Sequence, residues 1–409
     1  MIIPNGDLDK SRVQQIDLGG AHLKANAREL LYGWATNPPF YVLNNGPPQV
    51  IVGRYRDVQE VFTDPVRFSS QVPRGPGYEQ FDKFVGGQFI TQMDGAQHAR
   101  LRRLLMGAFS TKRLAQLETS ITQIINCLLD DIERTGPQFD AMSQYATQLV
   151  VGVLLTSMMN LDPNQRQVLL NFQEVQPAMT ATKPGEPFAP AVMAAYQKMA
   201  DLIRYLIEDR RTNRRSDFLG DLVVARDEDD RLDDRELFDM LFGVSAALAT
   251  TPRSSSGAIL TLYTHRDQLQ QLIHDPSLIP EAVEECFRIA SNGYFTFPRI
   301  ATIDTEVGGT FIRQGMIVRP SPQAANYDPS VYQDPLRFNI HRHPKRIMTF
   351  GAGPHHCIGN VLGRMTIQVA IRQLLARFPR ARLAEPDFVP IYGGSTGELR
   401  MKSLPMMTH

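Results

Sequence analysis

Phe350-Gly351-Ala352-Gly353-Pro354-His355-His356-Cys357-Ile358-Gly359 is the stretch on which the reading of this chain turns. It carries too much Gly and Pro for the interior of a helix or strand, so it predicts a loop. Directly after it, Val361, Leu362, Met365, Ile367, Val369, Ala370, Leu374 and Leu375 recur at helical spacing. One cysteine is therefore set just ahead of a long helix, in a loop whose glycines let backbone N–H groups approach the sulfur. That position favours thiolate over thiol, and a thiolate binds soft or borderline metals.

These residues leave three readings open. Cys357 is a zinc ligand together with His355, His356, His341 or His343, or it is an inert thiol buried in a tight turn. Alternatively it is a thiolate on haem iron, with Phe350 near the sulfur and His355 reaching a propionate. The paired C-x2-C or H-x3-5-H spacing by which structural zinc sites announce themselves is missing from the region. The pattern Phe350-Gly351-x-Gly353-x-His355-x-Cys357-x-Gly359 resembles the haem-binding loop of the cytochrome P450 family. The resemblance implies a mainly α fold with small β-sheets (α+β), a single domain over residues 1–409, and haem b (iron protoporphyrin IX) with Cys357 as its metal ligand.

Companion motifs fall in the family's order. Asp94-Gly95-Ala96-Gln97-His98-Ala99-Arg100-Leu101-Arg102 places His98 and Arg102 one turn apart on a helix face, two donors suited to one anionic group. The match to the family's D-x-x-x-H-x-x-x-R pattern assigns them to a haem propionate. Glu285 and Arg288 form an i, i+3 pair, usually worth only tenths of a kcal/mol at a surface. Their context resembles the family's E-x-x-R helix, which implies a buried structural network completed by Arg342. Arg299, after Ser291-Asn292-Gly293-Tyr294-Phe295-Thr296-Phe297-Pro298, takes the position of a further propionate donor.

Residues 236–263 read as one long, mostly apolar helix, similar to the one that passes over the family's oxygen-binding face. Here the chain departs from the family. The usual A/G-G-x-D/E-T-T is Ala246-Ala247-Leu248-Ala249-Thr250-Thr251, so Thr250 holds the hydroxyl position while Ala249 replaces the acid. Pro252 follows; its missing N–H predicts a kink and a released carbonyl at Leu248. Arg253 lies three residues past Thr250.

The remaining pattern is helical with short strands. A hairpin is predicted at residues 40–43 and 50–52, and helices at 111–134, 139–159, 163–175 and 188–211, with a flexible connection at 176–187. Residues 71–90 interleave Gly and Pro with aromatic residues, as in a lid. Candidate pocket-lining residues are Phe81, Phe84, Phe89, Ala246, Tyr294, Phe295 and Phe297.

With 43 basic and 43 acidic residues, the chain has no general attraction for nucleic acid or anionic membrane. Residues 1–18 hold no signal peptide and nothing near the ~20 apolar residues a bilayer span requires. Cys127, Cys286 and Cys357 are too few and too scattered for a disulfide framework. A cytoplasmic monomer is expected. The resemblance implies a monooxygenase that inserts oxygen from O2 into an apolar small molecule, with electrons from a separate ferredoxin and ferredoxin reductase fed by NAD(P)H. Arg100, Arg103, Lys112, Arg113 and Lys345 are candidate donor-docking residues. Ala249 keeps alternatives in view: a peroxygenase, a nitric-oxide reductase-like enzyme or an oxidative coupling or rearrangement enzyme. Outside enzymes, the alternative is a haem sensor or ligand carrier.

Overall fold

The computed structural model describes residues 8–17, 24–43, 48–73, 89–107, 109–182, 186–215, 217–227, 232–244, 247–290, 293–393 and 399–409. It is mostly helical with small sheets. Two compact units share the chain. The first takes Met1–Val72, Gly257–Asn360 and Val389–Lys402; the second takes Pro73–Ser256, Val361–Phe388 and Ser403–His409. Among the described residues, no helix is long and apolar enough to cross a membrane.

The first unit is built on a six-stranded mixed sheet. Its order is Val13–Gln14, Phe40–Val42, Gln49–Val52, Ile317–Pro320, Arg299–Ala301, Phe68–Ser69. Strands Phe40–Val42 and Gln49–Val52 pair antiparallel, and Gln49–Val52 runs parallel to Ile317–Pro320 with Ile51 beside Arg319. Both faces are covered, and the period-2 alternation of a strand sorts side chains between them. Tyr41, Val50 and Val52 join one core with Phe62 and Val58 of the helix Tyr55–Thr63. Phe40, Val42 and Ile51 join the other, with Leu31 and Trp34 of the helix Ala27–Thr36. The hairpin of Thr305–Val307 and Thr310–Ile312 turns on Gly308 and Gly309, both at positive φ. A Cβ at Gly308 would sit 2.1 Å from an Arg54 nitrogen, so glycine serves both turn and packing there.

Among its described residues the second unit is helical apart from a three-stranded sheet of Arg382–Leu383, Pro405–Met407 and Gln138–Asp140. On the 25-residue helix Thr111–Thr135, Ile121, Ile125, Leu129 and Ile132 make a buried stripe at helical spacing. Several expected boundaries move. The single helix expected over 139–159 is instead a strand followed by π-helical stretches Ala141–Ala146 and Val151–Met158 around a short α segment, Thr147–Val150. Asp140 forces the change: its carboxylate accepts from the Met142 and Ser143 N–H groups and from Leu404 N–H, ending the strand and starting the helix. The helix expected to stop at 175 runs as Pro163–Ala181, through Pro177. Asp162 and Gln165 close a capping box at its start, and Phe172 packs against Tyr196 of the helix Pro190–Thr212. The long run over 236–263 is described as Asp234–Val244 and Ala247–Thr264; residues 245 and 246 lie outside the described set.

Candidate active site

The cysteine loop is fixed from both ends. Gly351 N–H donates to the Met348 carbonyl at 2.7 Å, and Cys357 N–H donates to the Phe350 carbonyl at 2.8 Å, closing the loop on itself. Gly351 and Gly353 have φ of 69° and 67°, the left-handed region where a side chain is strained. Gly353 is doubly constrained, since a Cβ there would lie 2.4 Å from the Phe62 carbonyl oxygen. Immediately beyond, the helix Asn360–Arg377 begins, and the Asn360 side chain donates to the Cys357 carbonyl at 2.7 Å.

Behind the loop stands a buried polar network. Glu285 and Arg288 are fully buried and joined by two bonds, 2.7 and 2.8 Å. Arg342 adds a third bond to the same carboxylate at 2.9 Å, so the structure brings together the three residues read as one network. Arg288 also donates to the carbonyls of Asn326 and Pro335. Asn326 passes the constraint on: it accepts from Met348 N–H at 2.7 Å and donates to Thr349 Oγ at 2.8 Å. Thr349 in turn donates to the Phe287 carbonyl, and the Phe287 and Phe350 rings meet edge to face at 4.9 Å. Asn326 was missed by motif reading. Its only sequence signal is a lone amide after Ala324-Ala325, and its side-chain partners are remote in sequence.

These residues fit a flat group bound through one sulfur. Cys357 is exposed, whereas Cys286 is buried and its thiol is pushed well up by desolvation. A Cβ at Gly359 would meet no protein atom within 4 Å, in contrast to Gly353. A zinc site does not assemble. His341 bonds to Gln271, His343 faces Glu281 at 3.8 Å, and among the described residues no three metal-ligating side chains converge. His355 Nε2 lies 2.9 Å from Oγ of buried Ser70, a pairing that spacing could not reveal. Arg299 is buried, donates to the carbonyls of Phe297 and Pro298, and lies over the Phe62 ring.

On the second unit, His98 is buried and Arg102 half-buried on the helix Gly95–Gly107. On the helix Ala247–Thr264, Thr250 is exposed, Ala249 half-buried and Arg253 buried. The helix continues through Pro252. Hydroxyls of Ser254, Ser255 and Ser256 bond back to the carbonyls of Thr250, Thr251 and Arg253, a habit that loosens a helix locally. Phe89 stacks on Phe242 at 5.2 Å. In the first unit Tyr294 is fully buried against Trp34, which makes it a core ring with no surface left for a ligand; Phe295 is half-buried and Phe297 exposed. Phe81, Phe84 and Ala246 lie outside the described residues. Of the donor-docking candidates, Arg100 pairs with Glu236 and Arg113 with Asp221, while Arg103 and Lys345 are exposed.

The family model of the cytochrome P450s matches residues 35–406. The chain is 34% identical over 361 residues to the mycinamicin IV hydroxylase/epoxidase of Micromonospora griseorubida, covering 86% of each. It is 33% identical over 355 residues to the nocardicin C N-oxygenase of Nocardia uniformis, covering 84% of this chain and 86% of that one. Among solved structures, the LnmA cytochrome P450 hydroxylase of the leinamycin pathway of Streptomyces atroolivaceus is similar at TM-score 0.79 and 31% identity, over 96% of this chain and 98% of that one. The bacillaene synthase cytochrome P450 PksS of Bacillus subtilis reaches TM-score 0.85 at 29% identity, over 96% and 99%. Fold and sequence matches thus agree on one class of oxidoreductase, and the chain belongs to the cytochrome P450 family. It is a monooxygenase-type enzyme whose cofactor is haem iron.

Proposed function

We propose that this enzyme is a single-domain, cytoplasmic monomer that inserts an oxygen atom from O2 into an apolar small molecule. Its electrons would come from a separate ferredoxin and an NAD(P)H-dependent reductase. The observation that carries the reading is Cys357: an exposed sulfur at the end of a loop locked by Glu285, Arg288, Arg342 and Asn326. Haem b is the group that donor set suits, and when bound it supplies oxygen activation, with thiolate ligation favouring O–O cleavage.

The chain's own groups have separable tasks. Cys357 ligates; Phe350 shields the sulfur side; Gly359 leaves room for the macrocycle. His98, Arg102, Arg299 and His355 would neutralise propionates, charge-assisted contacts of the stronger kind. Thr250 would hold a water or the proton it passes on. The pocket is assigned to rings such as Phe89, Phe295 and Phe297, together with Phe81, Phe84 and Ala246. Ala249 favours a second reading, in which the enzyme takes peroxide or another oxidant and needs no acid there. The thiolate assignment is tested by the reduced, carbon-monoxide-bound spectrum: the red-shifted band of a thiolate haem is expected in the wild type and lost in Cys357→Ala. An unshifted wild-type band, or a zinc ion found at Cys357, would overturn it.

A further inference from the structure

Gln268 stands in the first turn of the helix Arg266–His274 and is half-buried. Its side-chain amide is spent on backbone. Nε2 donates to the Phe338 carbonyl at 3.0 Å, and Oε1 accepts from Ile340 N–H at 2.9 Å. Phe338 and Ile340 are buried, so these two backbone groups need a partner within the protein. Between them, Asn339 N–H turns the other way and donates to Glu285 Oε1 at 3.1 Å. Extended backbone offers its hydrogen bonds alternately to two sides; here Gln268 takes one side and Glu285 the other. The ring of His265, the N-cap of the same helix, packs on the Phe338 ring at 4.8 Å. Asn339 then opens the turn that carries Arg342. Its carbonyl accepts from Arg342 N–H at 3.0 Å, and Arg342 Nε reaches Glu285 Oε1 at 2.9 Å.

Gln268 therefore grips the segment that sets both the Asn339 N–H and the Arg342 guanidinium on one carboxylate. From that carboxylate the constraint passes through Arg288 and Asn326 to Met348 and Thr349, which lead into the cysteine loop. An amide carries the donor and the acceptor this clasp uses; a carboxylate at 268 would lose the donor, and methionine would fill similar volume with neither. We propose that Gln268 is a positioning residue of the haem-thiolate centre. By clasping residues 338–340 it holds Arg342 on Glu285 and, through that network, fixes the placement of Cys357. The last step rests on the ligation by Cys357 proposed above; the clasp does not.

The test compares haem-loaded wild type, Gln268→Met, Arg342→Ala and the double variant by two readouts. The first is amide hydrogen exchange at Asn339 and Ile340, read on the apoprotein of any variant that does not retain haem. Gln268→Met should speed exchange roughly 5- to 30-fold, as for loss of two hydrogen bonds. The rise is expected at Ile340, which Gln268 touches, and also at Asn339, which it reaches only through the clasp. The second readout is the rate at which mild urea converts the red-shifted carbon-monoxide band to the unshifted one. That rate should rise several-fold in Gln268→Met, and the double variant should fall well short of the product of the two single factors. Tyr41→Phe gives up a hydroxyl bond to the Phe311 carbonyl elsewhere in the same unit and should leave the band stable. Exchange rising at Ile340 alone, a conversion rate equal to wild type, or single factors that simply multiply would overturn the proposal. So would an equal acceleration in Tyr41→Phe, which would reduce Gln268 to a general stabiliser. A wild type without the red-shifted band overturns ligation by Cys357, and with it the step to the sulfur, while exchange still reports the clasp.

Discussion

If the turn at Ala249 and Thr250 carries protons, as proposed, it does so through Thr250, an exposed hydroxyl with nothing acidic beside it in sequence. General-acid delivery is typically worth ~10²–10⁴-fold, so the wild type should consume NADH in excess of product. Ala249→Glu is expected to raise product per NADH and Thr250→Ala to lower it; equal coupling in all three would place proton delivery elsewhere and advance the peroxide reading. The two loop glycines make a second contrast. Gly353→Ala combines a strained φ with a 2.4 Å approach to the Phe62 carbonyl and should cost about 2–4 kcal/mol in denaturant melts. Gly359→Ala meets no protein atom within 4 Å, so it should leave the apoprotein melt nearly unchanged while weakening haem retention. Equal melts for the two variants would contradict the geometry. At this scale legibility in sequence followed locality: Cys357 and the Glu285–Arg288 pair are local patterns. Asn326 and Ser70 act through partners far along the chain, Ser70 reaching His355 across 285 positions, and composition carries no trace of that.

The helix Ile279–Ile289 is the element on which the cysteine loop leans. It presents Glu285 and Arg288 inward and offers the Phe287 carbonyl to Thr349. Removing Arg288 takes two of the three side-chain bonds from a carboxylate with no exposure at all and leaves it to Arg342 and the Asn339 N–H, so Arg288→Ala should cost ~3–5 kcal/mol and release the loop through Asn326. Arg342 is partly exposed and supplies one of the three side-chain bonds to Glu285; its loss should cost about 1.5–3 kcal/mol. Denaturant unfolding followed by haem absorbance ranks the two, and Arg342 proving the more damaging would contradict the burial. This helix could be read from sequence because its apolar stripe and its Pro280 start agree. The stretch after residue 139 could not, because Asp140, which caps the helix through Met142 and Ser143, also accepts from Leu404 N–H, a partner no local pattern predicts. Likewise Pro177 reads as a break until the packing of Phe172 on Tyr196 is seen to hold its helix.

For the molecule as a whole, balanced charge hides an uneven use of it. Arg100 and Arg113 are engaged by Glu236 and Asp221, and among the described side chains of the candidate docking set Arg103 and Lys345 are exposed. Single reversals, Arg103→Glu or Lys345→Glu, should slow association with an acidic ferredoxin several-fold at low salt, with the difference fading as salt rises. Stopped-flow reduction rates that ignore both reversal and salt would remove electrostatic steering from the account. The interleaving of the two units has a consequence for synthesis. The strand Gln138–Asp140 pairs with Pro405–Met407, and Asp140 accepts from Leu404, 264 positions later. At roughly 5–20 residues per second of translation, the edge of Gln138–Asp140 waits about 13–50 s on the ribosome for its neighbour. During that interval an unpaired strand edge and the apolar stripe beside it are exposed to other nascent chains. Expression yield should therefore depend on chaperone supply and growth temperature more than the stability of the finished enzyme would indicate.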